Sequence, residues 1–595
     1  MNIGRWMLVV ALMATMGFGF VTSGQIYCEK VGGDEPFSAG RPIPYNGVRQ
    51  YLIGADSIIG FTSYEYQANG GFGQRIRVDD LDQAHIDWMW SDYPLQDERL
   101  CAWNARFDDG SYYGMVSASV TYSGYVQLDI TSDGRTVIAY HYGVVTMSWI
   151  DIDQGNLWGV LPNDPKGPEG NLHIWPYIAV SGDNIIMVTG ESGADMHHRY
   201  LTTDEGVTWS TSVDFDSCNC LSPFLRASPN SDKVVHVWTQ TIEPTFSASQ
   251  LCQDVYYALS TDNGANWSSP VNLTNYTPPA SMSAGDSSIW AFNNVNAVFD
   301  ANDDLHIAWE GHLAWVSALD TLYGGDRGKI FHWDEVSSTI TTVSSPSTYY
   351  TEPNGFWLEP WSAGVPYWHG GAAGSWRTII DNPQLIVDPT NNDLYCLWAG
   401  NADSTDVALN TYINGELYGA YSTDNGATWT DYKNLTNTPS PGAAAGDCFD
   451  EDYFTASPLV VNDSIFVTFI EDKDACAFVH AGEMTDNPVH GWVFPKEYVY
   501  GIEEHETETP SRLTMNITNP ASRNAKISYT LTNAGEISLK VYDRTGSLVR
   551  TIETGYKEAG VYNLNLDVSE LANGTYFARL DTSTDDLTRT FVVIH

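Results

Sequence analysis

Three stretches of the chain repeat one eight-residue pattern, Ser/Thr-x-Asp-x-Gly-x-x-Trp. They are TTDEGVTW at 202–209, STDNGANW at 260–267 and STDNGATW at 422–429. Each follows an alternating apolar stretch such as DVYYAL (254–259) or ELYGAY (416–421), so each reads as a turn that leaves a strand. The Asp carboxylate can accept backbone N–H groups within the turn, and Gly supplies a backbone conformation that other residues avoid. The Trp is expected to tuck its indole against the next strand. The residues in these roles are Asp204, Gly206 and Trp209, then Asp262, Gly264 and Trp267, then Asp424, Gly426 and Trp429. A degenerate copy keeps Asp153, Gly155 and Trp158. Two weaker copies run over 108–113 and 326–331, with Tyr113 and Phe331 at the Trp position.

A second element recurs upstream of these turns: a short strand, a polar turn, and a strand ending in an apolar residue. It is found at 75–90, 126–140, 177–188, 224–238, 296–309, 384–398 and 458–469. Alternating apolar residues on both sides of an Asn/Asp/Gly turn predict a β-hairpin. Hairpin, third strand, Asp-containing turn and fourth strand make one four-stranded unit. Such units cannot bury their faces singly, and stacked radially they form a β-propeller. The expected fold is therefore all-β, with seven blades preferred and six as the alternative. A further apolar stretch within 48–66 is a candidate to pair with the last blade and close the ring, with a lid as the alternative. The final hairpin is followed by no clear Asp turn.

Spacing between blades is uneven because of an insertion at 345–378. It holds Trp357, Trp361, Trp368 and Trp376 among Gly and Pro. Long aromatic loops suit sugar rings or peptide side chains, so these Trp residues are candidate ligand contacts; the competing reading is a satellite core. At the N-terminus, Arg5 followed by an apolar run to Phe20 reads as a secretory signal peptide over 1–24. No later stretch is apolar and long enough to span a membrane as a helix. Eight cysteines (Cys28, Cys101, Cys218, Cys220, Cys252, Cys396, Cys448 and Cys476) then favour disulfides without defining their pairing. The 74 acidic against 28 basic residues, a net charge of −46, argue against nucleic acid, whose phosphates need basic patches. Acidic turns at 300–304 and 447–452 are candidates for Ca²⁺, although neither has EF-hand spacing and solvated loops are the plainer reading. No other metal or cofactor signature is present.

Composition changes after Tyr500. The segment 501–512 reads as an acidic linker, and 513–595 as a small antiparallel β-sandwich. Its Asn519-Pro520 start, the Tyr542-Asp543-x-x-Gly546 hairpin, the turn at Gly560 and the Gly574-x-Tyr576 strand closely resemble the type A sorting domain of the type IX secretion system. That resemblance implies export by this machinery to the medium or outer surface of a Gram-negative bacterium of the Bacteroidetes type. The repeated turns resemble the Asp boxes of the sialidase/BNR-repeat superfamily, over a propeller at 75–500 preceded by a segment at 25–74. In that family the boxes are peripheral, so the resemblance implies fold and not activity.

Sialidase chemistry requires three Arg on the substrate carboxylate and a Tyr nucleophile activated by Glu. The best available Arg set is Arg75, Arg226 and Arg377, and structural ion pairing is the plainer reading of all three. The family's FRIP-like motif is absent, and spacing nominates no Tyr–Glu pair. The expected function is thus binding of an extracellular glycan or protein ligand by an exported propeller. An exo-glycosidase of sialidase type and a structural surface protein are the alternatives.

Overall fold

The computed structural model describes residues 41–593 apart from 49, 51, 69, 92–98, 121, 143–144, 152–157, 161–172, 192–195, 212, 217–222, 243–251, 317–320, 345–378, 402, 404, 479–481, 501–513, 518–520, 522, 532–533, 544–546, 558–559, 570 and 583–585. The expected signal peptide, the aromatic insertion and the linker lie outside these residues, as do Cys28, Cys218 and Cys220. The chain divides into two compact units, Met1–Gly501 and Ile502–His595.

The first unit is built from seven antiparallel four-stranded sheets, in two of which a single bridge, Gln253 to Ala291, joins neighbours. Blades 1 to 6 run outward in chain order and begin at Ile76–Val78, Ser123–Ile130, His173–Ser181, Phe224–Ala227, Ser287–Phe299 and Ile380–Val387. Blade 7 begins at Asp450–Ala456 and continues through Ser464–Asp472 and Asn487–Pro495. Its outermost strand is Ala55–Thr62, from the other end of the chain, which pairs antiparallel with Asn487–Pro495. Each first strand packs on the first strand of the next blade, and that of blade 7 packs on that of blade 1. The sheets therefore close into a seven-bladed propeller, leaving no unpaired edge at the junction.

The core lies between blades. Alternate residues of one strand face opposite neighbours: Ile138 joins Trp103 and Leu128 between blades 1 and 2, whereas Val137 joins Ile178 and Met187 between blades 2 and 3. Both faces of each sheet are thus covered, which is why the inner strands carry long apolar runs.

The three repeated turns sit between the third and fourth strands of blades 3, 4 and 6. In blade 4, Asp262 Oδ1 accepts the Asn266 N–H at 2.7 Å, and Ser260 Oγ accepts the Gly264 N–H at 2.9 Å. Asp204 and Asp424 make the same backbone bond to Thr208 and Thr428. The Trp residues pack differently from expectation. Trp267 lies under the Arg199 guanidinium of blade 3 at 3.8 Å, and Trp429 meets His332 of blade 5 at 5.3 Å. The indole is a wedge against the preceding blade, because the turn leaves its own sheet at the gap between two blades.

Four other expectations are corrected. The degenerate copy at 326–331 is not a turn; it lies inside the strand Thr321–Asp334. The first arm of the seventh hairpin is Asp450–Ala456 and not 458–461, which belongs to the turn after it. The stretch 447–452 is a solvated turn only at its start: Asp447 is exposed in a turn, whereas Asp450, Glu451 and Asp452 are each at most 1% exposed on the strand. The thiols of Cys101, Cys396 and Cys448 are buried and form no disulfide. The copy at 108–113 does form the third-to-fourth-strand turn of blade 1. Asp153 and Gly155 lie outside the described residues.

In the second unit, a three-stranded sheet (Thr514–Ile517, Asn524–Leu531 and Gly560–Asp567) faces a four-stranded one. Met515, Ile527 and Tyr529 from the first meet Leu539, Val541, Ala578 and Phe591 from the second. This is the expected small β-sandwich.

Candidate functional site

The first strands of blades 2, 3, 6 and 7 each carry a β-bulge at the same level. The bulges place Tyr125, Trp175, Asn382 and Tyr453 at φ of 55°, 51°, 53° and 47°. Left-handed backbone at large side chains costs on the order of 1–3 kcal/mol each and gathers at functional sites. Here Tyr125, Trp175 and Tyr453 pack in one cluster with Tyr64, Tyr66 and Phe72.

The axis is filled by the segment 63–75, whose described residues are all buried. It touches the first strands of several blades. Tyr177 of blade 3 donates to Gly71 O at 2.5 Å, Gln127 of blade 2 donates to Phe72 O at 3.1 Å, and Phe72 meets Tyr453 of blade 7 at 5.2 Å. Gln67 binds Met89 of blade 1 through both its oxygen (2.7 Å) and its nitrogen (2.9 Å).

Arg75 and Arg226 both end at this segment. Arg75 donates to Gln67 Oε1 at 3.1 Å and to the Gln67 carbonyl. Burial lowers its pKa, with Asp87 as the main opposing charge. Arg226 donates to Ala297 O at 3.0 Å and to Gln74 Oε1, and burial lowers its pKa to about 9. The two guanidinium groups thus have different partners, with no shared open point between them. Arg377, Trp357, Trp361, Trp368 and Trp376 lie outside the described residues.

Sequence reasoning missed the other groups around the axis. Arg99 lies 5.0 Å from the Tyr64 ring and 5.4 Å from the Tyr125 ring, and Tyr125 stacks on His141 at 4.9 Å. In blades 6 and 7, Glu416, Asp450, Glu451, Glu471, Asp472 and Asp474 are clustered, with Glu65 facing them. Burial and the neighbouring carboxylates push Asp472 and Glu451 well above the usual range, Asp474 to about 6 and Glu416 to about 7. Burial and Asp381 raise Glu310 to about 8. Lys473 binds Glu471 at 2.9 Å, and His490 bridges Asp56 (2.7 Å) and Glu471 (3.4 Å).

The clustered carboxylates do not converge as an ion site. Among the described residues only His173, Glu191 and His198 bring three ligand atoms within 4.8 Å of one another. The turn at 300–304 uses Asp300 Oδ1 on its own backbone, accepting from Asn302 N and Asp304 N at 2.8 Å.

A groove of about 910 Å³ opens at the first-hairpin turns of blades 1 to 4. Arg77, Asp79, His85, Asp133, Arg135 and Tyr113 are among its lining residues. Asp79 Oδ1 accepts from Leu81 N and Gln83 N, both at 2.9 Å, and its Oδ2 lies 3.3 Å from His85 Nε2. Burial opposes the Asp79 charge, yet these bonds hold its carboxyl below the ordinary range. Arg135 is fixed by Asp133 at 2.8 Å and by Glu205, from the repeated turn of blade 3, at 2.7 Å. The lining is thus preorganised, mixed in charge, and edged by the rings of Phe107 and Tyr113.

No curated protein matches the sequence. Among solved structures, an ulvan lyase of the polysaccharide lyases is 10% identical at a TM-score of 0.42, covering 75% of this chain and 96% of that one. PorZ, a surface component of the type IX secretion system of Porphyromonas gingivalis, is 11% identical at 0.36, covering 89% and 60%. A Hadza microbial sialidase is 11% identical at 0.31, covering 67% and 74%. Among the described residues no helix is long and apolar enough to cross a membrane. Residues 518–594 match the family model of the secretion system C-terminal sorting domain, so the β-sandwich carries this domain and the propeller is cargo of the type IX system, released from or displayed on a Bacteroidetes-type cell.

Proposed function

We propose that the propeller is a binding module for an extracellular glycan, presented outside the cell by its sorting domain. The observation that carries this reading is the groove at the first-hairpin turns. It combines fixed charged groups, Arg77, Asp79 and Arg135, with aromatic edges at Phe107 and Tyr113. Planar hydrogen-bonding groups beside aromatic carbon match the alternating hydroxyl and C–H surface of a sugar. The repeated turns are read as structural Asp boxes, since their carboxylates are spent on backbone N–H groups.

Glycan-array binding of the exported chain tests the proposal. Binding is expected to be lost on Arg135→Ala together with Tyr113→Ala, with the melting temperature nearly unchanged. An array that stays silent while surface proteins are captured through the same groove would overturn the glycan in favour of a protein ligand. A fluorogenic sialoside is expected not to turn over, because Arg75 and Arg226 are engaged by Gln67 and Gln74. Turnover abolished by Arg75→Ala would establish the exo-glycosidase reading instead.

A further inference from the structure

Blade 3 carries a second, chemically different constellation. His173 lies on its first strand, Glu191 on the second, His198 on the third and Asp214 on the fourth. The antiparallel register sets them in two neighbouring rows on one face of the sheet: His173 is opposite Glu191, and His198 is opposite Thr189 on one side and Asp214 on the other, two positions along from Glu191. Neither the groove nor the axial segment includes them.

We propose that His173, Glu191 and His198 bind one divalent transition-metal ion of the zinc type. The ligand atoms of the three lie within 4.8 Å of one another, and Glu191 Oε2 is 3.0 Å from His198 Nε2. The far nitrogen of each imidazole is already held. His198 Nδ1 is 2.8 Å from Asp214 Oδ1, and His173 Nδ1 is 2.7 Å from the Tyr200 hydroxyl. His198 thus turns Nε2 toward Glu191 with a carboxylate behind its other nitrogen, the arrangement that fixes the tautomer and ring plane of a ligating His, and the His173 ring lies beside it at 4.1 Å.

The donor set selects the metal class. Two imidazole nitrogens and one carboxylate suit zinc, which accepts three protein ligands with a fourth position open. Calcium takes six to eight oxygens, which this set does not supply. Binding replaces the hydrogen bond between His198 and Glu191 by two metal bonds. The ion would clip the first three strands of the blade together.

The test uses the full chain stripped with a chelator and dialysed against ZnCl₂, CaCl₂ or MgCl₂, with metal content and melting temperature as readouts. One zinc per chain and a higher melting temperature are expected, with no effect of calcium or magnesium. His173→Gln and Glu191→Gln should each abolish stoichiometric binding. Glu191 is partly exposed, so Glu191→Gln decides should His173→Gln fail to fold. Asp214→Asn, which leaves the ligands in place, should weaken affinity by about 10–100-fold. Absence of stoichiometric zinc, wild-type binding by Glu191→Gln, or an equal response to calcium would each overturn the proposal.

Discussion

The repeated turns show how little of a residue's role needs the rest of the protein. Asp262 binds the backbone N–H of Asn266 and the hydroxyl of Ser260, all within four residues. The Asn266 side-chain amide, with that backbone N–H and the Ser260 hydroxyl, holds its carboxyl below the ordinary range. Asp262→Ala is expected to lower the melting temperature of the propeller while leaving ligand affinity unchanged; selective loss of binding at full stability would contradict the structural role. Gly264 depends on its surroundings as well as its turn. Its φ is +83°, and an added Cβ would stand 2.5 Å from Ile186 Cγ1 of blade 3. Gly264→Ala therefore combines backbone strain with overpacking and should cost about 3 kcal/mol in urea denaturation. The Asp and Gly roles were legible because their partners are local. The Trp contact was misread because its partner belongs to another blade.

At the scale of elements, closure of the ring rests on one borrowed strand. Blade 7 has no Asp turn because its fourth strand, Ala55–Thr62, does not follow its third in the chain. The join is reinforced by His490. Burial opposes its charge, but Asp56 on the borrowed strand and Glu471 within the blade outweigh burial and lift its pKa to about 9. The folded state thus keeps a proton that the unfolded chain releases near its ordinary value of 6.5. The stabilisation is complete below that value and is lost as the pH rises through about 9. His490→Gln should lower the melting temperature more at pH 6 than at pH 9.5, and an equal loss at both would refute the latch.

The neighbouring strand Asp450–Ala456 was read as a loop because three acids in succession usually mark solvent. Its burial is matched by its neighbours: burial and adjacent carboxylates raise Glu451 well above the usual range, as they do Asp472 of the paired strand, and Glu471 there meets Lys473 and His490. Acids whose folded pKa is raised stabilise fully below their unfolded pKa and lose that contribution as the pH climbs through the folded one. For Asp474 and Glu416 the folded values are about 6 and about 7. Melting temperature should therefore fall between pH 5 and pH 8. Glu416→Gln should flatten that fall.

For the whole molecule, the division at Gly501 separates the part that acts from the part that delivers. Deletion of 513–595 is expected to leave a folded propeller retained in the periplasm, detected by fractionation; unchanged export would sink the sorting role. The excess of acids also takes on a different meaning at this scale. It is not only a solubilising coat, since a block of it is enclosed between blades 6 and 7.

The propeller fold, with seven blades preferred over six, the four-stranded plan of its blades and the sorting domain were legible in the sequence alone, because hairpins, turns and short motifs are encoded by neighbours in the chain. Only the tertiary structure decided what lies at the axis. Ser63, Gln67 and Arg75 look like an unremarkable polar stretch, yet ring closure carries them across the centre, where Arg75 meets Gln67 in place of an open cleft. The same holds for His173, Glu191 and His198. Their spacings of 18 and 7 positions follow no local motif, and they meet because antiparallel register brings three separate strands side by side with these residues in neighbouring rows.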